Sequence, residues 1–258
     1  MKFILFRHGH SLANQESRIV SSLENGARTS GGPLGTGFGL SDRGKQEVAS
    51  SARSLSNFIL ESTKAGQKAK IKILTSPFQR TIQTASIILR ELQTTFKKSK
   101  EAGSPETTRM IVMENKDEPE LCMDLRERFF GEFEMKTPSD ELYARVWRED
   151  AFNPFHERYG VESVVSVTKR MTDVIRDHEC KEMKNREVSS PLSSLPDEQE
   201  QEHGETWIVL VSHGDSLQIL QAAMHGLSGD RHRQLDHLDT ACWRDVQWCE
   251  ALAEAHHR

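Results

Sequence analysis

Two arginines and two histidines of this chain stand where apolar runs end. Phe3-Ile4-Leu5-Phe6 runs straight into Arg7-His8-Gly9, and Ile71-Lys72-Ile73-Leu74-Thr75 into Ser76-Pro77, with Arg80 a helical turn further on. Trp207-Ile208-Val209-Leu210-Val211 runs into Ser212-His213-Gly214-Asp215. Glu127, in the charged and aromatic stretch Leu125-Arg126-Glu127-Arg128-Phe129-Phe130-Gly131, adds a candidate acid. Guanidinium groups and an imidazole neutralise phosphoryl oxygens while a second imidazole attacks phosphorus, so this set suits phosphoryl transfer to histidine. Any one of the three segments recurs by chance. Their value is joint.

The apolar runs are the pattern of strands buried on both faces. Ligands of an open α/β sheet bind beyond the carboxyl ends of its strands, and glycine after the histidine lets the backbone turn there. Helices should follow. Ser41 is a candidate N-cap for a helix carrying Val48, Ala52, Leu55 and Ile59, and Ser76 with Pro77 at the first helical position should open a helix with Ile82, Ala85, Ile88, Leu89 and Leu92 inside. Further helices are expected at 139–149, from Val161, and from Ser216 to Leu227, and further strands at 110–113 and near 241–246. Strand–helix alternation without repeats predicts an α/β fold, a three-layer α/β/α sandwich around a mainly parallel sheet, in one domain over residues 1–258. Residues 17–39, rich in Gly and Ser, are expected as a loop, either a lid or a surface insertion. Residues 182–205, with two Ser-Ser pairs, two prolines and an acidic run at 197–202, are expected as a disordered loop.

Composition narrows the function classes. A net charge of −5 argues against general nucleic-acid binding, which needs a basic face. Cys122, Cys180, Cys242 and Cys249 show no metal-binding spacing, so reduced thiols are expected. The apolar run after Lys2 is too short for a signal peptide, and no segment approaches the ~18 apolar residues of a membrane helix. A mean hydropathy of −0.61 completes the expectation of a soluble protein of the cytoplasm, with the nucleus as the alternative. Oligomeric state is open.

Arg7-His8-Gly9-His10-Ser11-Leu12-Ala13-Asn14 resembles the Arg-His-Gly-(Glu/Gln)-Thr-x-x-Asn signature of the histidine phosphatase superfamily, in its phosphoglycerate-mutase-like branch. Further matches follow in family order: Leu40-Ser41-Asp42-Arg43-Gly44-Lys45-Gln46, Ser76-Pro77-Phe78-Gln79-Arg80 through Thr84-Ala85, Leu125-Arg126-Glu127 with Gly131-Glu132-Phe133-Glu134, Gly160-Val161-Glu162-Ser163, and Val211-Ser212-His213-Gly214. The resemblance implies a phosphoglycerate-mutase-like fold and a phosphatase working through a phosphohistidine. It makes His8 the nucleophile, Arg7, Arg80 and His213 the phosphoryl-binding groups, Asn14 a pocket residue, and Glu127 the acid and then the base. No metal or organic cofactor is required. The substrate would be a phosphorylated small molecule or a phosphoprotein. The alternatives are a phosphoglycerate-type mutase and a catalytically silent binding module.

His10 and Ser11 depart from the signature, as do Phe133 and Met135 further on, and none of these removes a reacting group. Asn14 has a competing role as a helix cap, and Glu132 and Glu134 compete with Glu127 as the acid. The remaining nine histidines are expected at the surface.

Overall fold

The computed structural model describes residues 1–258 apart from 28–36, 65, 103–108, 189–203 and 249–258. Its centre is a six-stranded sheet. Strand β1 (Lys2–Arg7) is followed by short helices α1 (Leu12–Gln15) and α2 (Leu23–Gly26), then by the long helix α3 (Asp42–Ser62). Next come β2 (Lys68–Thr75), α4 (Gln79–Ala102), β3 (Met110–Met113) and the two-residue β4 (Glu120–Leu121). After them, α5 (Asp140–Phe152) and α6 (Val164–Val188) lead to β5 (Glu205–Ser212), α7 (Gly214–Met224) and β6 (Trp243–Val246). The strand order is β3-β2-β5-β1-β6, with β4 also paired to β2. Every pairing is parallel except that of β6 on β1.

Strand alternation divides the core. Ile4, Phe6, Trp207, Val209 and Val211 pack with Val48, Leu55, Ile59, Ile88 and Leu92 of α3 and α4. Phe3, Leu5, Ile208 and Leu210 face the other way, onto Val167, Met171, Leu217 and Leu220 of α6 and α7. Burying each such side chain contributes about 1.5–3 kcal/mol. The expected sandwich with a mainly parallel sheet is therefore the observed fold. A third cluster, Ile19, Phe130, Phe133, Val146 and Val161, carries Tyr143 and Trp147 at its edge.

Several expected boundaries move. Ser41 caps α3, its hydroxyl accepting from the Gly44 N–H. Helix α4 begins at Gln79, not at Pro77; the Ser76 hydroxyl accepts from the Phe78 N–H at 3.4 Å and is also bonded to the His213 ring. It also runs ten residues past Leu92. The 17–39 stretch is not all loop: Ser22 caps the turn of helix at Leu23–Gly26, and residues 28–36 lie outside the described residues. Helix α6 starts at Val164 rather than Val161, which is held in a bridge to Phe130, and α7 ends at Met224 rather than Leu227. At its other end α6 continues through Val188, so residues 182–188 are helix where a disordered loop was expected, and Glu205 opens β5. A polar composition suits a helix end facing solvent as well as it suits a coil. The acidic run at 197–202 lies outside the described residues.

No helix among the described residues is long and apolar enough to cross a membrane. The described cysteines Cys122, Cys180 and Cys242 are free.

Candidate active site

β1 and β5 are neighbours in register, with Arg7 opposite Ser212, so the residues after them, His8 and His213, leave the sheet side by side. Their ring centroids lie 5.2 Å apart. β2 lies on the other side of β5, and the start of α4 places Arg80 across both rings. A close approach of α3 supports the turn after His8: a Cβ on Gly44 would collide with the His10 carbonyl, and one on Gly9 would meet Val48.

Hydrogen bonds fix the tautomers. His8 Nδ1 lies 2.8 Å from the Gly9 carbonyl, which can only accept, so Nδ1 carries the hydrogen and Nε2 keeps its lone pair. That lone pair accepts from Arg80 Nε at 3.1 Å. Arg80 Nη2 donates to the Val20 carbonyl at 2.8 Å and to His213 Nδ1 at 2.9 Å, so His213 holds its hydrogen on Nε2 and donates to Ser76 Oγ at 2.8 Å. Burial, reinforced by the charges of Arg80 and Arg7, holds the His8 pKa well below the usual imidazole value. Burial, Arg80 and His8 do the same to His213. Burial lowers the Arg80 pKa to about 10, which still leaves it charged at neutral pH. The site is two neutral imidazoles joined by one cation.

Arg7 is held by its Nη1, which donates to His237 Nε2 at 2.7 Å and to the Leu238 carbonyl at 2.9 Å. Burial, with help from the Arg7 charge, lowers the His237 pKa to about 4, so its lone pair is free to accept. A cleft of about 330 Å³ is lined by Arg7, Glu127, Phe130, Tyr143, Trp147 and Arg233, among others. Tyr143 and Trp147 stack at 5.2 Å, and the Arg233 guanidinium lies 4.2 Å over the Trp147 ring. His8, Arg80 and His213 are almost wholly buried beside this cleft.

Glu127 is thus brought to the same cleft as Arg7. Glu134 has a different job: its carboxylate accepts from Ser21, Ser22 and Asn25, pinning the segment whose Val20 carbonyl meets Arg80. Although burial alone would raise its pKa, these bonds hold it below the usual carboxylate value. Asn14 is exposed, and its Oδ1 accepts from the Ser11 N–H and hydroxyl in a capping box on α1. His10 is half-buried against Ser41.

Sequence reasoning missed several supports. Under the cleft, fully buried Arg128 forms a fork to Asp150 at 2.7 and 2.8 Å and reaches Asp215 at 3.2 Å, and Asp215 also takes Arg233. Asp150 further holds His156 at 2.8 Å and lies 3.9 Å from His232. His156 and His232 are buried, against the expectation of surface histidines: Asp150 holds His156, and the Gly229 carbonyl holds His232 Nδ1 at 2.7 Å while its Nε2 has no hydrogen-bond partner among the described residues. The only cue in the sequence was charge density around 125–131.

A family model, the histidine phosphatase superfamily (branch 1), matches residues 104–256, more than half of the chain. The chain belongs to this superfamily. No curated relative matches the sequence. Among solved structures, a mycobacterial glucosyl-3-phosphoglycerate phosphatase is 19% identical, with 98% of this chain and 93% of that one covered at a TM-score of 0.58. A putative α-ribazole-5′-P phosphatase of Escherichia coli is 16% identical over 97% and 92% of the two chains, at 0.55. A phosphoserine phosphatase mutant of Entamoeba histolytica is 15% identical over 95% and 89%, at 0.56. At these identities the likeness is one of fold. Arg7, His8 and Arg80 lie outside the residues matched by the superfamily model, so their roles rest on the geometry above.

Proposed function

We propose that this member of the histidine phosphatase superfamily hydrolyses a phosphomonoester through a phosphohistidine on His8. The observation that carries this reading is the His8 tautomer. The Gly9 carbonyl holds the Nδ1 hydrogen, which leaves the Nε2 lone pair directed at the Arg80 guanidinium. A neutral, oriented imidazole beside a guanidinium is what in-line attack on a phosphoryl group needs.

In this reading Arg80 passes its Nε hydrogen from His8 to a phosphoryl oxygen as the substrate binds. Arg7 and His213 contribute further contacts to the phosphoryl group, with His213 held in place by Arg80 and Ser76. His8 Nε2 forms a bond to phosphorus while the ester P–O bond breaks, and Glu127 gives its proton to the leaving oxygen. The Gly9 carbonyl steadies the positive ring that results. Water then attacks phosphorus, Glu127 takes its proton, and the P–N bond breaks to release phosphate and neutral His8. The residues supply every proton transfer, so the scheme needs no cofactor. Asn14, already tied to Ser11, contributes by holding the backbone after His8.

The cleft volume and its aromatic wall favour a small phosphorylated molecule over a phosphoprotein. Phosphate release from para-nitrophenyl phosphate, sugar phosphates, phosphoglycerates and phosphopeptides, compared between wild type and His8→Ala, tests the proposal. Release by the wild type alone supports it. Isomerisation of phosphoglycerate without release would make the protein a mutase, and a folded wild type with neither activity would leave a binding module.

A further inference from the structure

Glu127 uses its two carboxyl oxygens unequally. Oε1 accepts from the Arg128 N–H at 2.9 Å, the Ser216 N–H at 3.2 Å and the Ser216 hydroxyl at 3.0 Å. Oε2 has no hydrogen-bond partner among the described residues, in a side chain that lines the cleft. Ser216 is fully buried in the first turn of α7, where backbone N–H groups lack helical partners and favour a carboxylate. Its hydroxyl also lies 3.0 Å from the Arg126 carbonyl. One hydroxyl hydrogen thus has two acceptors in reach.

We infer that Ser216 is a positioning residue that keeps the transferable proton of Glu127 on Oε2. This rests on the phosphatase reading above. With Oε1 accepting from two backbone donors and the Ser216 hydroxyl, a proton arriving at Glu127 settles on Oε2, the oxygen without a hydrogen-bond partner among the described residues. The Ser216 hydroxyl supplies a third donor to Oε1, which stays an acceptor when Oε2 carries the proton, and so disfavours protonation of Oε1. The proton then passes from Oε2 to the leaving oxygen as the P–O bond breaks, and a water proton returns to Oε2 in the second step. Ser216 touches no substrate atom.

The consequence depends on the leaving group, which separates positioning from mere packing. Para-nitrophenolate departs without a proton, whereas the alkoxide of glycerol phosphate needs one. In Ser216→Ala, kcat/KM for glycerol phosphate should fall about tenfold while that for para-nitrophenyl phosphate changes less than about threefold. Ser216→Thr, which restores a hydroxyl, should recover most of the loss. In a Glu127→Gln background Ser216→Ala should add nothing. Should Ser216→Ala fail to fold, Ser216→Cys, of similar volume and a weak donor, takes its place. Equal losses on both substrates, or no loss on either, overturn the inference while wild-type turnover keeps the phosphatase reading. Absence of phosphate release from the wild type sinks that reading instead, and this inference with it.

Discussion

His8 and His213 offer opposite ring nitrogens to a single guanidinium: Arg80 Nε meets Nε2 of the first at 3.1 Å, and Nη2 meets Nδ1 of the second at 2.9 Å. Each ring is locked on its far side, by the Gly9 carbonyl and by the Ser76 hydroxyl. Neither ring can change tautomer without breaking a bond in a buried site, where an unmatched polar group is costly.

Arg80→Lys should therefore be far from conservative. An ammonium is a point charge and cannot span both rings and the Val20 carbonyl in one plane. We expect kcat/KM for phosphate release to fall by about 10²-fold or more. Retention of activity within a few-fold would show that charge alone, without the fork, is sufficient.

Stability should depend on pH through the same rings. Both histidines are neutral in the fold, with pKa values well below the ordinary 6.5. Below that value the unfolded chain takes up protons that the folded chain refuses, so unfolding becomes easier as pH falls from 7 towards 5. Denaturation midpoints measured across this range should drop, and His213→Gln should flatten the slope. A midpoint independent of pH in the wild type would contradict the buried neutral rings.

Ser76→Ala would leave the Nε2 hydrogen of fully buried His213 without an acceptor. A loss of about 1–3 kcal/mol in urea denaturation is expected. Activity should fall with it, since His213 would be free to turn away from Arg80. An unchanged midpoint would mean that another acceptor takes over.

The ion cluster under the cleft gives a larger effect. Arg128 is wholly buried and spends both its Nη atoms on Asp150. Asp150→Ala leaves the buried charge only its 3.2 Å contact with Asp215 and should cost about 3–5 kcal/mol, whereas Arg128→Met combined with Asp150→Leu should restore part of the loss. If the double variant were no better than the single one, packing rather than an unpaired charge would be at fault.

What could be seen in the sequence was local. Phe3–Phe6 and Trp207–Val211 announce buried strands through unbroken apolar runs, and Ser41 announces its helix through a cap three residues from its partner. Arg7, His8, Arg80 and His213 stood out because each lies at or just past the end of an apolar run, and Glu127 because of the charged and aromatic stretch around it. The supports did not, because each is a bond between distant segments: Ser76 with His213, Glu134 with Ser21, and Arg128 with Asp215 are 137, 113 and 87 residues apart. Such pairs leave no periodic trace. Ser76 shows the reach of local reasoning, since its suitability as an N-cap says nothing of the bond that the same hydroxyl takes from the His213 ring. Residues 182–188 show the same failure in reverse, where polar residues continuing a helix resemble those of a coil.

The place of β1 in the sheet bears on how this protein is made. β1 comes before every other described strand in the chain, yet its two partners in the sheet, β5 and β6, come after all the rest. At typical elongation rates the apolar run Phe3–Phe6 must wait roughly ten to forty seconds before β5 exists to pair with it. Throughout that interval the nascent chain offers an unpaired, β-prone segment to its neighbours, and a chaperone that shields such segments has its target in Phe3–Phe6. His8 thus waits for β5 and the residues after it before the surroundings of its ring are complete.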